Sequence, residues 1–321
     1  MFVQNKTPHP VVLARADVSD DLCVGTVVLR ACHRLSATGV VPWEGPRTAL
    51  ETDPPSTADH AIWEGTSVTV AGRVRGPSRP PHVVRADLWV GRETRSLLVF
   101  GDRQWLRNAG KLVASTPAAF GEKPLSWALA FGGTYELVPG LDPVRKLPHP
   151  GGPIPYMLNP GGTGFYPNER AAEGKALPSI ETREGAVGLW SDTPRPVGFA
   201  PCPELVGLRA PETAPSDPDE PDWHFRALLR FLHHAPGELI FAEMVPETVV
   251  RLVGVGGPVS FEVPCSPVVV STVRGNTVEP VGFRMRSVHV STGDGAVLVD
   301  YAHAFRFARG TAPSWVRVEA R

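Results

Sequence analysis

Four groups of residues in this chain are of types that do chemistry. Asp102 and Arg103, an acid beside a cation, follow a glycine at the end of a strand pattern. His233 and His234 offer imidazoles to a metal. The runs Gly254-Val255-Gly256-Gly257 and Gly161-Gly162-Thr163-Gly164 have the glycine density of phosphate-cradling loops. Cys23, Cys32, Cys202 and Cys265 supply thiols. The spacing limits each. Neighbours on extended chain point to opposite sides, so Asp102 and Arg103 cannot act on one substrate atom; each is expected to tie down local structure while Trp105 packs. Neighbouring helical histidines diverge by about 100° and lack a third ligand at a zinc-like spacing, so the pair reads as a helix C-terminus meeting its dipole. The first glycine run leads through Pro258 into another strand instead of opening a helix, and the second lacks the lysine of a phosphate loop. The sequence contains neither a Gly-x-Ser-x-Gly elbow nor a His-Glu-x-x-His helix. The cysteines form no Cys-x-x-Cys and read as small buried or half-buried thiols. No catalytic residue, metal or cofactor is assigned.

One charge pattern is local. Between Arg73 and Arg107 stand eight arginines against Asp87, Glu93 and Asp102, an excess of five positive charges. Arg73 and Arg75 fall on one strand face. This reads either as a solvated sheet face or as an arginine-rich surface for an acidic partner protein. The run lacks the interleaved aromatics of a nucleic-acid platform. The whole chain, with 32 basic and 33 acidic residues, has a net charge of -1, which recruits neither nucleic acid nor an anionic membrane. Met1 to Asp20 does not read as a signal peptide, and no window is apolar enough to cross a bilayer, so a soluble, cytoplasmic protein is expected.

The elements that must hold these groups are mostly strands. With 35 prolines and 32 glycines in 321 residues, long helices are not expected, while 42% apolar residues suffice for a core. Val24–Leu35, Thr66–Arg75, Val83–Val90 and Thr94–Phe100 carry strand patterns. In Thr66–Arg75, Val68, Val70 and Val74 share one face, with Thr69, Arg73 and Arg75 on a wet face opposite. Gly91-Arg92-Glu93 connects a hairpin. A second strand-rich part covers 248–255, 258–263, 267–273, 281–290 and 296–307, with a turn at Gly293-Asp294-Gly295. Phe225–His234 has helical spacing, with Asp222 as cap, and Pro211–Asp222 reads as an acidic loop. The fold class is mainly β, with antiparallel sandwich-like regions, a long irregular Gly/Pro-rich connection and one or a few short helices. Its parts are a β-rich region at 1–105, a Gly/Pro/aromatic wrap at 106–221, and a short helix plus β-rich region at 222–321, with one continuous domain as an option.

The wrap holds the most specific signal: glycines beside large rings. In order these are Gly101-Asp102-Arg103-Gln104-Trp105, Pro124-Leu125-Ser126-Trp127 running to Ala130-Phe131-Gly132-Gly133, Asn159-Pro160-Gly161-Gly162-Thr163-Gly164-Phe165, and Pro196-Val197-Gly198-Phe199-Ala200-Pro201. Such pairs mark backbone packed closely against rings or turning sharply, which specifies a shape before a reaction. Together with Asn5-Lys6-Thr7-Pro8, Val27–Ala31, Thr66–Gly72, Leu177-Pro178-Ser179-Ile180-Glu181 and Ala235-Pro236, their order resembles the effector adaptor or chaperone family of the bacterial type VI secretion system, long catalogued as a domain of unknown function. The resemblance covers nearly the whole chain. It implies a non-enzymatic protein that holds a toxin effector and delivers it to a spike-tip protein of the PAAR type. Where that family tends to carry a Tyr-Glu-Arg-like run, this chain reads Trp127-Ala128-Leu129. Ser67 and Thr163 likewise stand where the family often has an acid and an arginine. The ring-and-glycine skeleton stays while the charges go, which leaves the skeleton a packing role. Partner-contact candidates are Arg73, Arg75, Arg103, Trp105, Trp127 and Phe131. A hydrolase-like enzyme and a carbohydrate-binding β module are the alternatives.

Overall fold

The computed structural model describes residues 2–17, 22–36, 39–43, 65–76, 80–137, 139–141, 148–203, 235–241, 244–308, 310–313 and 315–321. The helix expected at Phe225–His234 and the loop at Pro211–Asp222 lie outside the described residues. The architecture is mainly β and consists of several sheets.

Alternating apolar residues build the three largest sheets. In Val249–Val253 (VVRLV), Val250 and Leu252 are fully buried while Val249, Arg251 and Val253 face solvent. Val83–Val90 repeats this with Ala86, Leu88 and Val90 inward. These two pair with Glu93–Phe100, Ile180–Glu181 and Val259–Glu262 in a five-stranded sheet. The expected hairpin between Val90 and Glu93 is present, with Gly91 at φ 56. A seven-stranded sheet joins Val11–Asp17, Leu22–Ser36, Gly39–Pro42, Thr66–Ala71, Ile240–Phe241, Arg284–Ser291 and Ala296–Ala308. The last two meet at the expected Gly293-Asp294-Gly295 turn, with Ser291 opposite Ala296. A four-stranded sheet has the order Phe2–Asn5, Trp315–Ala320, Val268–Arg274, Thr277–Val281. One buried cluster takes Val70, Val288 and Val299 from the seven-stranded sheet, Leu88 and Leu252 from the five-stranded one, and Val270 and Val318 from the four-stranded one.

Two expectations are corrected. Thr66–Arg75 is not one strand with a wet face: it divides at Gly72 into Thr66–Ala71 and Arg73–Arg75. Thr66–Ala71 lies inside the seven-stranded sheet, parallel to Arg284–Ser291, and Thr69 is as buried as the core requires of a central strand. Arg73–Arg75 leaves to pair with Glu122–Pro124. Alternation fixes which residues share a face but not what covers the second face. Likewise 281–290 divides, because Thr277–Val281 is an edge strand of a different sheet from Arg284–Ser291.

The wrap contributes small two-stranded sheets and a second cluster of Trp105, Leu112, Phe131, Ala172, Leu177 and Val187, flanked by Tyr156, Phe165, Tyr166 and Trp190. Its rings interlock: Phe131 and Tyr156 meet edge-on at 5.1 Å, and Tyr156 lies 5.2 Å from Phe165.

Candidate functional site

Gly101 ends the strand Glu93–Phe100, and the next two side chains diverge as extended backbone requires. Asp102 points outward and accepts from Lys123 Nζ at 2.5 Å, and Nζ also donates to Ser179 Oγ at 3.0 Å. Arg103 turns in. Its Nη2 donates to Glu181 Oε1 at 2.8 Å and to the Pro178 carbonyl at 2.5 Å, while the guanidinium lies 4.0 Å above the Phe100 ring. Glu181 Oε1 also accepts from Val187 N at 3.4 Å. Burial pushes the Glu181 carboxyl up, and Arg103 pulls it part of the way back. This is a brace: it ties the strand end to the Leu177–Glu181 segment.

Trp127 opens a single 3₁₀ turn, Trp127–Leu129, capped by Ser126 Oγ accepting from Ala128 N. Its indole Nε1 donates to the Ala200 carbonyl at 3.0 Å, which joins the Pro196–Pro201 motif to it. Gly198 lies against the ring, and a Cβ there would stand 3.2 Å from Trp127 Cζ2. Phe131–Gly132 then pairs in parallel with Thr163–Gly164. Asn159, 1% exposed, donates from Nδ2 to the carbonyls of Trp127 at 2.7 Å and Phe131 at 3.0 Å. Gly132 has φ 149, and a Cβ there would come within 2.1 Å of the Asn159 carbonyl oxygen. Three motifs, with joined residues up to 73 apart in sequence, are thereby closed into one knot.

The knot leaves a cleft of about 470 Å³, walled by Leu125, Trp127, Ala128, Pro160, Gly161 and Pro201 among others. Its described lining contains no ionisable side chain.

The candidate residues fall in four places. Trp105 and Phe131 meet in the second cluster, 1% and 2% exposed. Trp127 is buried in the main cluster with its edge on the cleft, and Arg103 is held in the brace. Trp105, Phe131 and Arg103 present no contact surface, and Trp127 offers only the edge that walls the cleft. Arg73 and Arg75 do share a face, but both are held by Glu122, at 2.7 and 3.1 Å. The sequence excess of arginine is offset the same way along the run. Arg85 meets Asp87, Arg95 meets Glu93, Arg103 meets Glu181, and Arg107 meets Glu169 and Glu173. Ala128, Pro160, Gly161 and Pro201 were not site candidates, although all lie within or beside the quoted motifs. Only the folded knot shows that they share a wall.

Titratable side chains gather elsewhere. On the seven-stranded sheet, Asp300 accepts from Arg30 Nε at 2.7 Å and from Ser287 Oγ at 2.9 Å, while His289 Nδ1 pairs with Thr69 Oγ1 at 2.9 Å. Ser287 therefore engages Asp300 and not His289, so no serine–histidine relay is assembled. Burial drives the pKa of His289 down to about 4, with the Arg30 charge acting in the same sense. His33 also falls to about 4, through burial and the neighbouring His9. Cys23, Cys32 and Cys202 are buried and Cys265 is exposed, none of them in a disulfide. Among the described residues no group of three metal-ligating side chains occurs. No described helix is long and apolar enough to cross a membrane.

Residues 25–301 match the model of a family described as an uncharacterized protein conserved in bacteria, DUF2169. No curated protein and no solved structure matches the chain.

Proposed function

This chain belongs to the bacterial family DUF2169, and from that premise we propose that it is a non-enzymatic adaptor or chaperone. It holds a toxin effector and helps to load it onto the spike of a type VI secretion system, next to a PAAR-type tip protein. The observation that carries this reading is the uncharged apolar cleft at which three motifs of the wrap converge. The edge of the Trp127 ring and three prolines, Pro160, Pro201 and Pro203, line it, and such a surface engages an extended apolar segment of another polypeptide. The order of the ring-and-glycine motifs supports the more specific assignment to type VI secretion.

The test uses two substitutions that leave the knot intact. A Cβ on Gly161 would meet nothing within 4 Å and φ is not in the left-handed region, so Gly161→Trp fills the cleft without strain. Ala128→Arg places a charge on its exposed wall. Both variants should unfold within about 0.5 kcal/mol of the parent, as surface substitutions do. Both should lose the effector in co-purification from cells expressing the neighbouring toxin genes. Full effector delivery by a strain lacking this gene would overturn the proposal.

A further inference from the structure

The five-stranded sheet is incomplete along one strand. Glu93–Phe100 pairs over its whole length with Val83–Val90, without a register break, but on its other side Ile180–Glu181 covers only Leu98 and Val99. Two observations fix where its main-chain groups point. The two-residue turn Gly91-Arg92 makes Val90 and Glu93 a hydrogen-bonded pair, so the amides and carbonyls of Glu93, Arg95, Leu97 and Val99 serve Val83–Val90. On the opposite side, Phe100 N donates to the Ser179 carbonyl at 2.8 Å. Thr94 and Ser96 therefore turn their main chain the same way as Phe100, beyond the point where Ile180–Glu181 stops. Among the described residues no strand meets them there. The Thr94 carbonyl accepts from Arg95 Nη1 at 3.2 Å, which leaves the Thr94 amide and both main-chain groups of Ser96 open. Beside them lies a groove of about 480 Å³. Four successive residues, Thr94 to Leu97, line it, whereas a groove on a sheet face would be lined by alternate ones, so this groove runs along the strand edge. Of its lining, Leu97 and Phe199 belong to the main buried cluster and Val197 packs against it. Arg95 and Arg195 are matched there by Glu184 and Glu238, so the groove carries no net charge.

We propose that this groove takes up an extended segment of another polypeptide, which adds to Glu93–Phe100 as a strand in line with Ile180–Glu181. Main chain left open in register is a template that only another extended main chain fits. The central residue of the segment exchanges hydrogen bonds with Ser96, so it must carry an amide N–H and cannot be proline. Side chains of paired strands alternate in step. This residue therefore turns to the side of Ser96, and its two neighbours turn to the side of Leu97 and the core. The recognised pattern is apolar–x–apolar, with no proline at x. The inference goes beyond the cleft reading and does not depend on it.

The bait is the full-length Gly161→Trp variant, whose cleft is filled, and the probe is a randomised peptide library displayed on phage. Selected peptides should show the apolar–x–apolar pattern and bind the parent equally well, which separates the groove from the cleft. Synthetic copies are then N-methylated one residue at a time. Methylation at x should weaken binding at least about fivefold, the worth of one hydrogen bond, and by more than at either neighbour. Glu184→Trp changes an exposed residue of the lining and should lower affinity at least about tenfold. Affinity should be indifferent to salt, since the groove is neutral. Equal thermal unfolding of variant and parent verifies the fold. The absence of any binder, equal losses at x and its neighbours, or indifference to Glu184→Trp overturns the proposal. So does a dimer in sedimentation that Glu184→Trp dissociates, which would make the occupant a second copy of this chain.

Discussion

At Gly132 and in the Arg103–Glu181 brace, single side chains decide whether the wrap closes. Gly132 is the sharpest case, since a methyl group would have to occupy the space of the Asn159 carbonyl at a φ that L residues avoid. Gly132→Ala should lower stability by more than about 1 kcal/mol in urea unfolding, and a neutral result would mean the knot is not held there. Removing one side of the brace leaves a buried charge alone, so Arg103→Met should cost about 3–5 kcal/mol, while Arg103→Met with Glu181→Leu recovers most of it. The same residues set the acid behaviour. His289 and His33 are neutral in the fold and titrate at about 4, against 6.5 for the unfolded chain. The unfolded state thus binds more protons in that window, and stability is lost as pH falls from 6.5 through 4. Glu181 acts in the opposite sense. Its folded pKa lies above 4.5, so its contribution is present below 4.5 and lost as pH rises through the folded value. Urea midpoints at pH 7 and pH 5 should therefore converge in His289→Gln and separate further in Glu181→Gln; unchanged spacing in both would sink this account. The roles of Asp102 and Arg103 as ties were legible from their adjacency. Their partners Lys123 and Glu181 were not, because they lie 21 and 78 residues away along the chain.

Strands whose outer face meets water were legible, because alternation is imposed wherever one side packs and the other does not. Val83–Val90, Val249–Val253 and the two hairpin turns follow from pattern alone. Thr66–Ala71 was legible as a strand but not as a central one, and Phe2–Asn5, Val11–Asp17 and Trp315–Ala320 carry no signal strong enough to mark them. The edge strand Thr277–Val281 shows a further device. The two-residue turn makes Arg274–Thr277 and Thr272–Glu279 the hydrogen-bonded pairs, which turns the backbone of Val278 and Pro280 to the open edge. Proline there removes the amide that an incoming strand would need, and the edge is blunted. Pro280→Thr restores that donor and should produce concentration-dependent association in light scattering. A strictly monomeric variant at high concentration would show that the edge is protected by something else.

The molecule as a whole is stitched from both ends of the chain. Phe2–Asn5 lies on Trp315–Ala320, Leu22–Ser36 on Ala296–Ala308, Thr66–Ala71 on Arg284–Ser291, and Val83–Val90 on Val249–Val253. Each of these pairs closes a loop of more than 150 residues, so neither terminal part retains its sheets without the other. Urea unfolding followed by tryptophan fluorescence and by far-ultraviolet dichroism should therefore coincide in one transition; two separated midpoints would contradict it. Composition, alternation and turn residues by themselves determined a mainly β chain, several of its strands and hairpins, and a glycine-and-ring skeleton built for shape. These are local properties, set by steric freedom and by which side chains water excludes. Only the tertiary structure decided which strands pair, which arginines keep their charge to themselves, and that three distant motifs enclose one uncharged cleft. Those outcomes rest on contacts between residues far apart in sequence, whose geometry no local pattern encodes.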